Sequence, residues 1–171
     1  ANFVQPLIKQ FAYLNKTEVI VFNALEDSLA STINNLKLIN SDFDYNFNLL
    51  EKYIKNLYSI SNDSNNDVGR HRVIFVYGLS NLRNKLNLEN KNKLGELIEL
   101  ANKMDHIHFV IIDSESKLKS FESEIWYKDI VNGSSGIWIG KGINVQNIFK
   151  LKKYIDNDIE DNECYVIECG I

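Results

Sequence analysis

The sequence is poor in the features of disulfide-bonded and membrane-spanning proteins. Its 171 residues include only two cysteines and one proline. Cys164 and Cys169 are five positions apart, which in an extended strand is about 16 to 17 Å and beyond disulfide reach. The apolar runs are far shorter than the roughly 20 residues that cross a bilayer. We therefore expect reduced thiols, a reducing compartment and a domain that lies outside the membrane.

An excess of basic charge is also lacking. The net charge is −4, and the densest basic stretch, residues 150–153, is followed by four acidic residues within 156–161. Without a basic stripe to follow a phosphate backbone, the sequence predicts no nucleic-acid partner. Apolar residues make up 44% of the chain and charged residues 25%, which is typical of a globular protein. The length fits a single domain over 1–171.

The phosphate-binding signature of P-loop enzymes is missing as well. No G-x-x-x-x-G-K-[ST] occurs, and Lys141 of Gly140-Lys141-Gly142 is not followed by the required Ser or Thr. The run RVIFVY, residues 72–77, ends in Tyr77-Gly78, where an ATP-hydrolysing α/β domain would need acidic residues. Protein-bound Mg²⁺ is held by carboxylate and phosphate oxygens, and neither a phenol nor a glycine supplies such a ligand.

What the sequence does contain is a regular alternation of strand and helix patterns. Short β-branched and aromatic runs, apolar on both faces, indicate strands buried in a parallel sheet. Apolar residues three and four positions apart indicate helices between them. Predicted strands cover 18–23, 72–77, 106–113, 136–140 and 164–168, and predicted helices cover 3–14 and 89–104 and run through Leu29 to Leu38, Phe47 to Leu57, Leu118 to Trp126 and Val145 to Phe149. The predicted fold class is α/β, a three-layer αβα sandwich with a mostly parallel sheet.

The carboxyl ends of the strands are where such sheets bind ligands. Here they carry Asn23, Tyr77-Gly78, Asp113-Ser114 and Gly140-Lys141, which form no catalytic set. Asp113 could accept a phosphoryl group if Glu26 and Asp27 held Mg²⁺. A turn or helix-capping role for Asp113 is favoured over that interpretation.

Two histidines have the spacing of neighbours on one face of a strand. His106 and His108 are separated by one residue, whereas His71 stands alone before the strand at 72–77. A metal site would need a third ligand that the sequence does not indicate. We therefore interpret these histidines as residues at the start of a strand and expect no metal site.

Residues 132–150 form the most unusual segment. Gly133, Gly136, Gly140 and Gly142 bracket a short strand that carries Trp138. One interpretation is an edge strand with tight ends. The other is a surface where glycines let a partner approach and Trp138 supplies contact area.

Three of these segments resemble a known family. RVIFVYGL lies where the FtsK/SpoIIIE family of P-loop ATPases has its Walker B strand, HIHFVIID where its sensor strand lies, and GIWIGKGINVQNIF resembles its late glycine-bounded strand and Gln-containing helix. Within that family the chain is most similar to the last, degenerate ATPase module of the type VII secretion motors EssC and EccC. The resemblance covers residues 18–171 and implies a RecA-like, P-loop-type fold.

The departures from the family decide what the resemblance implies. The family's Walker A loop, which precedes a helix like that of residues 3–14, is absent from this chain. The Walker B acids correspond to Tyr77 and Gly78, and the polar end of the sensor strand corresponds to Asp113-Ser114. Without a phosphate cradle or a Mg²⁺ ligand nothing stabilises the phosphoryl transition state. We therefore expect no catalytic residue and no cofactor, although related active domains use ATP and Mg²⁺.

The resemblance implies a non-catalytic module that recognises secreted substrate proteins or regulates neighbouring ATPase modules of the same chain. Such a module lies on the cytoplasmic side of the membrane and reaches the membrane only through its parent protein. Two alternatives are an active ATPase whose Walker A lies upstream and whose acid comes from a neighbouring subunit, and a structural module for motor assembly. Candidate docking residues for an apolar substrate surface are Ile137, Trp138, Ile143, Ile148 and Phe149.

Overall fold

The computed structural model describes residues 3–25, 29, 36–63, 70–133, 135–149, 151, 154–155, 160–161 and 163–168. Its contacts divide the chain into two compact units, Ala1–Ser114 and Glu115–Ile171, called unit 1 and unit 2 below. The sequence predicts one domain over 1–171, and that remains a prediction. In the part of the chain that is described, no helix is long and apolar enough to cross a membrane.

Unit 1 contains a parallel sheet of four strands. The strands are β1 (Thr17–Asn23), β2 (Leu36–Ile39), β3 (His71–Tyr77) and β4 (Ile107–Ile112), in the order β2-β1-β3-β4. Residues of β1 and β3 from both faces of the sheet are buried, which is why these strands show continuous apolar runs without polar alternation. The prediction of an α/β fold with a parallel sheet is confirmed.

The described residues of unit 1 form four helices: α1 (Val4–Tyr13), α2 (Phe43–Asp63), α3 (Leu79–Lys85) and α4 (Leu88–Ala101). Helix α1 packs Val4, Ile8 and Ala12 into a cluster with alternate residues of the central strands. The opposite face of the sheet meets α2, since the Tyr53 hydroxyl lies 3.5 Å from Glu18 of β1. The sheet therefore carries helices on both faces.

Two predictions within unit 1 need correction. Leu36 and Leu38 were predicted to be helical but lie in β2, where Leu36 pairs with Val19 of β1. A short leucine-rich run has no periodicity that separates a strand from a buried helix. The sequence pattern also missed α3, which has only seven residues.

Unit 2 is built from shorter elements. They are α5 (Glu115–Leu118), a 3₁₀ turn (Lys119–Phe121), α6 (Ile125–Gly133), β5 (Gly136–Ile139) and β6 (Cys164–Ile167). The strands pair antiparallel in a separate two-stranded sheet.

The helix predicted through Leu118 to Trp126 is interrupted. Phe121 and Trp126 are five positions apart, which on a continuous helix would point them in different directions. The break between the 3₁₀ turn and α6 brings their rings to 5.8 Å, and Tyr127 lies 5.9 Å from Phe121. Packing of these three rings accompanies the loss of helical continuity.

The helix predicted through Val145 to Phe149 is also absent; residues 141–149 are turns and bends. Two side-chain amides hold this segment. Asn144 donates to Ile155 O at 2.7 Å and accepts from Ile155 N at 2.9 Å. Gln146 makes the same two contacts with the backbone of Phe149, at 2.8 and 2.7 Å. Such side-chain bonds replace the backbone pairing that a helix would use.

Candidate functional site

The carboxyl ends of β1, β3 and β4 meet at one edge of the parallel sheet. Asn23 pairs with Tyr77 in the register of β1 and β3, and Gly78 N donates to Ile112 O at 2.8 Å. This arrangement brings Tyr77, Gly78 and Asp113-Ser114 together. We call these residues, together with Asn23, the strand-end edge. It is the position where an α/β sheet binds a ligand.

Tyr77 is the first of the two residues at the end of β3 where an ATP-hydrolysing α/β domain would need acidic residues. Its side chain is buried and belongs to the cluster that includes Val4 and Ile8 of α1. A phenol supplies no carboxylate oxygen to the edge. A carboxylate at this position would have to be buried among apolar side chains, which is costly without a partner.

Gly78 occupies the second position and has a backbone that disfavours any side chain. Its φ is +86°, in the left-handed region. A Cβ added here would lie 2.7 Å from Leu25 Cγ and 2.8 Å from Leu25 Cδ2. Both the backbone angle and the neighbouring leucine therefore disfavour a side chain at Gly78 in this conformation.

Asp113 uses both carboxylate oxygens on backbone donors. Its Oδ2 accepts from Ser80 N in the first turn of α3 at 3.1 Å, and its Oδ1 accepts from Ser114 N at 2.9 Å. Asp113 thus supplies an acceptor to the first turn of α3, whose N-cap residue Gly78 has no side-chain cap of its own. Glu26 and Asp27, the acids of the phosphoacceptor alternative, lie outside the described residues.

A pair of asparagines joins the ends of β1 and β2. Asn23 is 1% exposed and donates from Nδ2 to Asn40 Oδ1 at 3.0 Å. Sequence reasoning placed Asn23 at the edge but did not predict this contact, since β2 was expected to be helical. A neutral amide hydrogen bond thus joins the ends of β1 and β2.

The five candidate docking residues of unit 2 separate into two groups. Ile143 and Ile148 are buried, so in this structure their side chains supply core rather than contact surface. Phe149 is half-buried and its ring closely approaches Gly136, where an added Cβ would overlap it. Trp138 is half-buried, and its Nε1 donates to Lys141 O at 3.2 Å. Ile137 alone of the five is exposed.

Ile137 belongs to an apolar surface that the sequence analysis did not identify as a whole. It pairs with Val166 of β6, while Ile139 pairs with Cys164. Directly paired residues and alternate residues of a strand share one face of a sheet. Ile137, Ile139 and Val166 are 39%, 44% and 61% exposed. We call these three residues the β5–β6 face. The alternation of Ile137 and Ile139 around Trp138 was the signal for it.

Comparisons of this chain with protein-family models, with curated proteins and with solved structures found no match.

Proposed function

We propose that this chain is a non-catalytic module, related to FtsK/SpoIIIE-type ATPases, that recognises secreted proteins for a type VII secretion motor. The observation that carries the non-catalytic part is the geometry of Gly78, with its φ of +86° and Leu25 2.7 Å from the position of a Cβ. A site that merely lost an acid could regain it by one substitution. An acid at Gly78 would carry the strain of a left-handed backbone and would have to displace Leu25.

The arrangement of β3 and β4 supports the relation to P-loop ATPases. The resemblance assigns the Walker B position to β3 and the sensor position to β4, whose residues must act on one nucleotide. These strands are parallel neighbours, with Tyr77 opposite Ile112, so the two positions end at the same edge. A RecA-like fold is therefore part of the proposal.

The chemistry of the strand-end edge supports the absence of hydrolysis. Phosphoryl transfer needs Mg²⁺ and oriented donors to stabilise charge on the transferred group. Tyr77 is buried with α1, and both oxygens of Asp113 accept from backbone N–H groups. These residues hold the edge together and do not converge on a ligand.

Recognition is assigned to the β5–β6 face. Ile137, Ile139 and Val166 are adjacent apolar side chains on one side of a two-stranded sheet. A contiguous apolar surface is the kind that binds an apolar segment of a partner protein. The proposed partners are secreted substrates, together with neighbouring ATPase modules of the parent chain at the cytoplasmic side of the membrane.

Calorimetry with MgATP tests the non-catalytic proposal. The protein should be extended by the residues that precede Ala1 in its parent, so that an upstream phosphate loop could contribute. We expect no Mg²⁺-dependent binding and no turnover. Tight Mg²⁺-dependent binding, or steady hydrolysis, would instead support an active module that receives its acid from a neighbouring subunit.

Binding of a fluorescently labelled secreted protein of the same system tests the recognition proposal separately. Ile139→Lys should weaken binding at least tenfold, the equivalent of about 1.4 kcal/mol, because it places a charge in the β5–β6 face. Val145→Lys is the matched control, since Val145 is an exposed apolar residue of unit 2 outside that face. An equal loss of affinity in both variants, or no binding by the unmodified protein, would reject the β5–β6 face as the binding surface.

A further inference from the structure

The histidine pair that the sequence suggested is not the pair that the structure brings into contact. His71 is the first residue of β3, and its Nδ1 lies 3.3 Å from Nε2 of His108 in β4. The two rings are nearly parallel, with an interplanar angle of 16° and centroids 5.6 Å apart. The sequence had paired His108 with His106 and left His71 alone.

The register of the parallel sheet produces this contact. Val73 of β3 is opposite His108 of β4. His71 is two residues before Val73, so its side chain emerges on the same face of the sheet as Val73 and His108. The two imidazoles are diagonal neighbours at the amino ends of β3 and β4, at the opposite end of the strands from the strand-end edge.

We propose that His71 and His108 form a binding site for a divalent transition-metal ion, with Zn²⁺ as the best geometric fit. Two ligand nitrogens at about 2.0–2.1 Å from one tetrahedral Zn²⁺ are about 3.3–3.4 Å apart. The measured separation of His71 Nδ1 and His108 Nε2 is 3.3 Å. One ion can therefore be held by both nitrogens at the separation that they already have.

The surroundings leave both imidazoles open to an ion from solvent. His71 and His108 are both exposed, so the ion can keep water in its remaining positions. Within the described residues, no group of three or more His, Cys, Asp or Glu side chains is arranged to hold a metal. The described residues therefore supply two ligands, and the open positions remain available to water or to a ligand from another molecule.

Metal binding would fix which nitrogen of each imidazole carries the proton. A neutral imidazole has one nitrogen with a lone pair, and the tautomer decides which nitrogen that is. With Zn²⁺ bound, His71 carries its proton on Nε2 and His108 carries its proton on Nδ1.

Imidazole NMR of the whole chain can test this assignment directly, because the protein has three histidines. Titration with Zn²⁺ should shift the ring signals of His71 and His108 together and fix the two tautomers named above. The signals of His106 should move much less. Shifts confined to His106, or no saturable shift in any ring, would overturn the proposal.

Single substitutions then measure the contribution of each ligand by competition with a chromophoric Zn²⁺ chelator. His71→Ala and His108→Ala should each weaken binding about tenfold or more, since even partners outside the ligand set change affinity by about 10- to 100-fold. His106→Ala is the matched control and should leave the affinity within a small factor of the unmodified protein. Unchanged affinity in either ligand variant would reject the pair as the site.

The exposed thiol of Cys164 needs its own control, because thiolates bind Zn²⁺. The titrations should therefore be repeated with both cysteines replaced by serine. Retention of the histidine shifts in that variant supports the assignment. Their loss would show that the ion binds through a thiol instead.

Discussion

The strand-end edge of unit 1 and the β5–β6 face of unit 2 are the two candidate sites, and they differ in what their side chains contact. At the edge, Gly78 is crowded by Leu25, and Asp113 accepts from two backbone donors. At the face, Ile137 and Val166 are paired with each other and exposed. The edge is occupied by contacts that hold the fold, whereas the face leaves apolar surface uncovered. Recognition of a partner protein is therefore better sought in unit 2 than at the strand-end edge of unit 1.

The most severe test of the crowded edge is Gly78→Asp, which places an acid directly after β3. Strain at a positive φ costs about 1–3 kcal/mol, and overpacking costs a further 1–3 kcal/mol or so. We expect the free energy of unfolding of unit 1 to fall by about 2–6 kcal/mol in urea titrations, with no gain of Mg²⁺ binding.

Two control variants separate the strain at a positive φ from the crowding by Leu25. Gly78→Ala should retain both penalties without the added charge. Combining it with Leu25→Ala removes the atoms that lie 2.7 and 2.8 Å from the added Cβ, so part of the lost stability should return. If Gly78→Ala is as stable as the unmodified protein, the edge is not crowded and the comparison with the β5–β6 face loses its basis.

The second test compares core with surface inside unit 2. Ile143 is fully buried, and replacement of a buried isoleucine by alanine costs about 2–5 kcal/mol. Ile139→Ala should change stability by less than about 0.5 kcal/mol, because its side chain is 44% exposed. Chemical denaturation, monitored by Trp fluorescence, measures the free energy of unfolding of both variants. A loss at Ile139 as large as that at Ile143 would mean that the β5–β6 face is covered in the folded protein.

A third test concerns the carboxylate of the edge. Asp113→Ala removes the acceptor for Ser80 N and Ser114 N, and loss of a helix cap costs about 0.5–2 kcal/mol. Asp113→Asn keeps one accepting oxygen and should cost less. Thermal unfolding of both variants tests whether this residue is structural. Equal stability of all three proteins would argue against capping and reopen a chemical role for Asp113.

Unit 1 was largely predictable because burial on both faces leaves a strong pattern in the sequence. The runs at 18–23 and 72–77 became β1 and β3, extended by one residue at their start. Short segments escaped the same reasoning. Leu36–Ile39 has four residues and α3 has seven, too few for a period to identify either element.

Unit 2 was less predictable because single polar contacts decide its local structure. The spacing of Val145 and Ile148 indicates a helix, yet the amides of Asn144 and Gln146 bind the backbone of Ile155 and Phe149. Such contacts depend on which segment is near in space, and a pattern along the chain does not contain that information.

At the candidate sites, too, features set by neighbouring residues in the sequence could be predicted, whereas contacts between distant residues could not. The conformational role of Gly78 was readable from the sequence, since a tight exit from a strand favours glycine. Its contact with Leu25 was not, because the two residues are joined only through the pairing of β1 with β3. The contact between His71 and His108 likewise depends on the register of β3 with β4.

The smallest expected effect concerns Tyr127, in the aromatic cluster of unit 2. Burial, with a lesser contribution from Glu122, raises the pKa of Tyr127 to about 12. Its hydroxyl is buried and has no hydrogen-bond partner among the described residues. Removal of such a group by Tyr127→Phe should stabilise the protein by about 1 kcal/mol, the lower end of what an unsatisfied buried group costs.

The stability of the unmodified protein and that of Tyr127→Phe should depend differently on pH. A tyrosine whose pKa is higher in the folded state than its unfolded value of about 10 favours folding below pH 10. That contribution is lost as the pH rises from 10 to about 12, because the unfolded chain ionises first. The unmodified protein should therefore lose stability over this range more steeply than Tyr127→Phe, as measured by urea titrations at each pH. Parallel pH profiles would mean that solvent reaches the hydroxyl, and that the cluster in unit 2 is as open as the β5–β6 face.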